Sequence, residues 1–243
     1  MANKENILLF LDFDGVICDS VAEAFVSSRH AYLRHVGREA GKTDPAEKSL
    51  FVEYRPFIRG GADFVLLQEC IAKNIVLESQ HDFDRLAEEK GESTMDLYYR
   101  LFYQSRSEII TKDKDRWIEL NALYPGIDAA LRKLGSEAYI ISTKQSAFVN
   151  EILRAKALVW SDNRIIHSGK TRKANYIQDL IDITRADRAI FVDDQIDHLQ
   201  GLESTEVDPY LASWGYVKAE WLQQREIPVL DLEGFLSLLG RFA

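Results

Sequence analysis

The chain has 243 residues, 46% hydrophobic and 28% charged, which suits one large domain or two modest ones of ordinary globular type. A formal net charge of −9 argues against general nucleic-acid or anionic-membrane partners, although local cations can still hold a phosphate. No run approaches the roughly 20 apolar residues of a bilayer span, and two cysteines are too few for a disulfide framework.

The leading stretch Met1-Ala2-Asn3-Lys4-Glu5-Asn6 has no signal-peptide pattern, so the reducing cytoplasm is the expected location. It runs into Ile7-Leu8-Leu9-Phe10-Leu11-Asp12-Phe13-Asp14-Gly15-Val16. A short continuous apolar run ended by a turn residue predicts a buried, parallel-type strand. Ligands of open α/β sheets bind beyond the carboxyl ends of such strands. Asp12 and Asp14 therefore fall where chemistry is expected, and Gly15 permits a sharp exit. Two carboxylates in one closed pocket need a counter-charge, and oxygen ligands of this kind suit magnesium.

From 20 to 124 the pattern is helical. Ser20 with Glu23 predicts a capping box, followed by an apolar face at Phe25, Leu33 and Val36 that stops at Gly37. Asp44-Pro45 predicts the start of a second helix. Pro56 and Gly60-Gly61 break the pattern before an apolar helix over 64–71, and a long helix is predicted over 95–110. Within Arg55-Pro56-Phe57-Ile58-Arg59-Gly60-Gly61, Arg55 and Arg59 are candidate substrate contacts, because guanidinium groups match phosphate and carboxylate geometry. The competing reading makes them the solvated face of a helix end.

After Tyr124-Pro125-Gly126, strands and helices alternate, as a parallel sheet with covering helices requires. The run Ala138-Tyr139-Ile140-Ile141-Ser142-Thr143-Lys144 ends in hydroxyls, making Ser142 and Thr143 candidate phosphate contacts. Lys170-Thr171-Arg172-Lys173 opens a helical pattern at Tyr176, Ile177, Leu180 and Ile181. Lys173 fits the helix start and is the leading candidate cation, with Lys170 as the alternative. Ser168-Gly169-Lys170-Thr171 imitates a P-loop end, but Arg164 stands where that motif needs glycine. Ala189-Ile190-Phe191-Val192-Asp193-Asp194 is a further strand ending in acids, followed by Asp197 and His198. Asp231 is expected to cap a closing amphipathic helix.

This ordered set, from Ile7 to Asp197, resembles the haloacid dehalogenase superfamily. Ile17-Cys18-Asp19-Ser20, Tyr124-Pro125-Gly126 and Trp214-Gly215-Tyr216 resemble its phosphoglycolate-phosphatase-like branch in particular. The resemblance implies a doubly wound, parallel-sheet α/β core (Rossmann-like) built from 1–19 and 125–243, with an all-helical cap inserted over 20–124. It implies a magnesium-dependent phosphatase acting on a small phosphorylated metabolite, with no nucleic-acid or membrane partner. Asp12 is the implied nucleophile forming an aspartyl-phosphate, Asp14 the acid and base, and Ser142 and the lysine the phosphate contacts. Asp12, the Asp14 carbonyl and Asp194, with Asp193 adjacent, are the implied metal ligands. His198 falls where many relatives carry an aspartate, and Asp197 is expected to take the supporting role. A sugar phosphomutase or a dehalogenase shares this architecture, and Asp14 counts against the latter. A non-catalytic, partner-binding member is the remaining alternative.

Overall fold

A computed structural model describes residues 5–39, 41–202 and 206–243; the first four residues of the leading stretch lie outside that set. In chain order the strands are β1 (Ile7–Leu11), β2 (Cys18–Asp19), β3 (Ala122–Leu123), β4 (Tyr139–Ser142), β5 (Ile165–His167), β6 (Arg188–Asp193), β7 (Val207–Ala212) and β8 (Val229–Leu230). Between β2 and β3 lie the helices α1 (Val21–His35), α2 (Pro45–Tyr54), α3 (Gly61–Ala72), α4 (Gln80–Lys90), α5 (Glu92–Lys112) and α6 (Lys114–Glu119). After β3 come α7 (Ile127–Leu134), α8 (Ser146–Ala155), α9 (Lys173–Thr184), α10 (Ile196–Leu199), α11 (Ala219–Gln223) and α12 (Leu232–Gly240).

The chain separates into two compact units. One ends its first segment at Asp19 and resumes at Ala122; the other is Ser20–Asn121. The sheet unit contains a six-stranded sheet in the order β5-β4-β1-β6-β7-β8, every neighbouring pair parallel. This is the parallel sheet that the strand–helix alternation predicts, in the doubly wound α/β form that the resemblance implies. The central strands are continuous apolar runs because both faces are covered. On one face Phe10 stacks on Tyr139 at 5.0 Å, among Ile141, Ile177, Ile181 and Phe191. At the closing helix, Asp231 Oδ1 accepts the Gly234 N–H at 2.7 Å and caps α12.

The sheet unit takes up the chain again slightly before residue 125. Ala122 and Leu123 pair antiparallel with Asp19 and Cys18, so a two-stranded ribbon closes the two crossings of the chain. Cys18 is buried in that ribbon, Cys70 is buried in α3, and neither is in a disulfide.

The helical unit has its own core, in which Phe64 stacks between Phe51 at 5.9 Å and Phe102 at 5.3 Å. Asp44 caps α2 by accepting the Ala46 N–H at 2.9 Å. The expected capping box at α1 is absent: Ser20 makes no side-chain cap bond, and Glu23 turns inward instead. Its carboxylate takes a two-point contact from Arg106, at 2.9 and 2.7 Å, and the Ser27 hydroxyl at 2.6 Å. The guanidinium and the hydroxyl together satisfy a carboxylate that burial would otherwise leave as an unpaired charge. No helix among the described residues is long and apolar enough to cross a membrane.

Candidate active site

The candidate residues converge at the carboxyl ends of β1, β4 and β6, the three adjacent central strands. Asp12 follows β1 directly, and its N–H still donates to the Val192 carbonyl at 2.9 Å, so the strand register carries it to the sheet edge. The chain then folds back tightly. Ile17 and Cys18 donate to the Phe13 carbonyl at 3.0 and 2.8 Å, and Gly15 donates to Cys18 at 2.9 Å. Gly15 adopts φ +98°, a conformation that side chains disfavour.

Lys173, the first residue of α9, reaches back to the strand ends. Its Nζ lies 2.5 Å from Asp12 Oδ1 and 2.7 Å from Asp193 Oδ2. Lys170 lies three residues earlier in the connection to that helix and is exposed. Asp193 is fully enclosed: Gln195 N–H donates to Oδ1 at 2.8 Å, and His198 Nδ1 lies 3.0 Å from Oδ2. The partner on α10 that contacts Asp193 is thus His198; Asp197 is half-buried beside it.

Asp194 sits in a glycine-lined slot. A Cβ on Gly15 would lie 2.0 Å from its Oδ2, and a Cβ on Gly215 would lie 2.4 Å from its Cβ. Tyr216 N–H donates to Asp194 Oδ2 at 2.8 Å, and Tyr216 Oη donates to Asp19 Oδ1 at 2.8 Å. Trp214 Nε1 donates to the Val16 carbonyl at 3.0 Å and stacks on Phe235. The Trp214-Gly215-Tyr216 segment therefore braces both the loop after β1 and the acid after β6.

Ser142 ends β4, is buried, and accepts the Lys144 N–H through Oγ at 3.2 Å; Thr143 is half-buried. Lys144 went unnoticed in the sequence because a lysine after a strand ordinarily reads as a solvated surface group. Here its side chain is 2% exposed and its Nζ lies 2.7 Å from Asp14 Oδ1. Nothing local signals that contact, since Asp14 belongs to a different strand end.

Asp12, Asp193 and Asp194 each offer one oxygen, and the three oxygens lie within 4.8 Å of one another. The Asp14 carboxylate is not part of this group and faces Lys144 instead. Lys144 pairs with Asp14, Lys173 pairs with Asp12 and Asp193, and His198 lies against Asp193. A buried trio of carboxylate oxygens this close together fits a divalent cation held by oxygen ligands. Burial, with Asp193 and Asp14 nearby, pushes the Asp12 carboxyl up to about 6 against the pull of Lys173. Burial also opposes the charge on Asp193, but Lys173 and His198 outweigh it and hold that carboxyl well below the usual range. Lys173 is disfavoured by burial and stabilised by both acids, which together raise it above an ordinary lysine.

The two arginines lie in the helical unit and are engaged there. Arg55 is buried, donates to the Ile58 carbonyl at 3.1 Å and rests over the Phe64 ring at 5.1 Å. It is therefore not on a solvated helix face. Arg59 makes a two-point, half-exposed pair with Asp84, at 2.6 and 3.2 Å.

No protein-family model matches the chain, and no curated protein matches it in sequence. Solved structures do match it over nearly its whole length. One is a proposed phosphoglycolate phosphatase from Lactobacillus delbrueckii subsp. bulgaricus, 15% identical with TM-score 0.64, covering 97% of this chain and 99% of that one. Another is a predicted phosphoglycolate phosphatase from Haemophilus somnus, 16% identical with TM-score 0.61, covering 98% and 99%. A haloacid dehalogenase-like family hydrolase from Streptococcus pneumoniae is 15% identical with TM-score 0.55, covering 98% and 99%. The chain thus has the fold of the haloacid dehalogenase-like hydrolases, the architecture that the ordered strand-end motifs predict.

Proposed function

We propose that this protein is a magnesium-dependent phosphoric monoester hydrolase that acts on a small phosphorylated metabolite through an aspartyl-phosphate on Asp12. The observation that carries the reading is the buried trio Asp12, Asp193 and Asp194, with Lys173 bridging the first two. Asp12, the Asp14 carbonyl and Asp194, with Asp193 behind them, would hold the magnesium. When bound, that ion neutralises charge on the phosphoryl oxygens.

In the first half-reaction an Asp12 oxygen bonds to phosphorus as the bond to the leaving oxygen breaks. Asp14 gives its proton to that oxygen, which departs as an alcohol. In the second, Asp14 takes a proton from water, the water oxygen bonds to phosphorus, and the Asp12–phosphorus bond breaks to release inorganic phosphate. Lys173 keeps Asp12 ionised and oriented. Because Ser142 Oγ already accepts from the Lys144 N–H, its own hydrogen is available to a non-bridging phosphoryl oxygen. Thr143 belongs to the same phosphate-facing turn. In this reading the sheet unit is catalytic, the helical unit is the cap, and Arg59 and Arg55 contribute to substrate selection.

The test is phosphate release from 4-nitrophenyl phosphate with magnesium and in excess chelator. Turnover that needs magnesium is the expected result. Full activity in chelator, or none under either condition, overturns the reading.

A further inference from the structure

The ion pair between Lys144 and Asp14 is unusual in its setting. The lysine side chain is 2% exposed and the aspartate side chain 18% exposed, with Nζ 2.7 Å from Oδ1. A lysine loses considerable side-chain freedom when it is buried to this degree, so the contact is held in place by its surroundings. Two further contacts hold it. The ammonium lies 5.5 Å from the centre of the Phe13 ring, the residue between Asp12 and Asp14. The Lys144 N–H is tied to Ser142 Oγ, which fixes the lysine backbone to the end of β4. One residue thereby joins the loop after β1 to the turn after β4.

We infer that Lys144 is a positioning residue that sets the Asp14 carboxyl group for proton transfer to the leaving oxygen. The inference rests on the phosphatase reading above. Lys144 holds Oδ1 and so fixes the torsion of the carboxyl group that exchanges the proton. Asp14 enters the first half-reaction carrying a proton taken from water, which passes to the leaving oxygen as that oxygen separates from phosphorus, and the carboxylate so formed is the partner of the Lys144 ammonium. The water of the second half-reaction returns a proton to Asp14. Asp12 and the phosphoryl contacts are untouched by this device, so its effect scales with how much the leaving group needs a proton.

That scaling separates positioning from general support of the fold. A nitrophenolate departs readily without a proton, and an unsubstituted phenolate needs help. We expect Lys144→Met to lower kcat/KM for phenyl phosphate about tenfold more than for 4-nitrophenyl phosphate, with KM altered less than about threefold. In an Asp14→Asn background the same substitution should leave the ratio between the two esters unmoved, because the group it positions is gone. Removing both charges together also avoids leaving one acid without its lysine, so the double variant keeps the test available if Lys144→Met folds poorly. Equal losses on both esters in Lys144→Met, or a further shift of the ratio in the Asp14→Asn background, would overturn the inference while the phosphatase reading stands. A wild-type protein that hydrolyses neither ester with magnesium would overturn both.

Discussion

The Lys173 ammonium and the Asp12 carboxylate meet at 2.5 Å, with the lysine side chain only 2% exposed. One cation therefore supports two buried acids, since Asp193 takes its other side. Lys173→Met leaves both acids without that partner. It should destabilise the protein by about 3–5 kcal/mol, measured by urea unfolding in chelator. A loss below about 1 kcal/mol would show that the acids do not depend on this lysine.

Asp12→Asn should behave in the opposite way. Burial works against the Asp12 charge, and the amide removes that charge while Lys173 keeps Asp193. The expected result in chelator is a Tm equal to or above that of the wild type. Turnover should fall at least about a thousandfold, because the amide cannot act as the nucleophile. Activity close to wild type would remove Asp12 from the reaction.

The metal assignment ranks the acids after β6. Asp194→Ala should weaken the magnesium dependence of activity more than Asp197→Ala, because Asp194 lies in the carboxylate trio and Asp197 does not. Magnesium titration of each variant checks this, and the reverse order would reassign the ligand.

The slot around Asp194 depends on missing side chains. At Gly215 an added Cβ would also lie 2.5 Å from the Gly15 carbonyl oxygen, so backbone as well as side chain must shift. Gly215→Ala is expected to cost about 1–3 kcal/mol and to weaken magnesium dependence. Gly240→Ala, with nothing within 4 Å of the new atom, should stay within about 0.5 kcal/mol of wild type. Similar effects for the two would mean that the slot has no steric role.

In the helical unit, Glu69 Oε1 accepts from Lys73 and Lys90, each at 2.5 Å, and Oε2 accepts from Tyr98 Oη at 2.6 Å. Burial pushes the carboxyl up, but these partners outweigh it and bring it down to about 2 from 4.5. A group with a lowered folded value stabilises the fold above its unfolded value and loses that contribution as pH falls. Stability should therefore decline from about pH 4.5 toward pH 2, and Glu69→Gln should flatten this part of the curve. An unchanged acid limb in the variant, followed by denaturant unfolding across that range, would place the acid sensitivity elsewhere.

The sheet and the acids at its edge were legible because each depends on a local signal. An apolar run ending in Asp12 or in Asp193-Asp194 declares both a buried strand and the position of its carboxyl end. The long helix around Tyr98 and Phe102 was legible from its periodicity. By contrast, α4 offers only the short face Phe83, Leu86 and Ala87, with Phe83 alone fully buried, too little periodicity to read among its polar residues. Glu23 carried a capping signal that Arg106, far along the chain, overrode. Lys144 was hidden for the same reason: its role depends on Asp14, and neither neighbourhood encodes the other.

The ribbon of Cys18–Asp19 and Ala122–Leu123 also bears on the order of folding. Strand β1 has no partner near it in sequence; it pairs with β4 and β6, both beyond the whole helical insertion. Every backbone bond β1 makes in the sheet therefore waits on closing a long loop, which is entropically costly and slow. Helices in the insertion pack mainly against one another and need no such closure. During synthesis, β1 leaves the ribosome well before either of its neighbours, and its exposed apolar run depends on protection until β4 emerges.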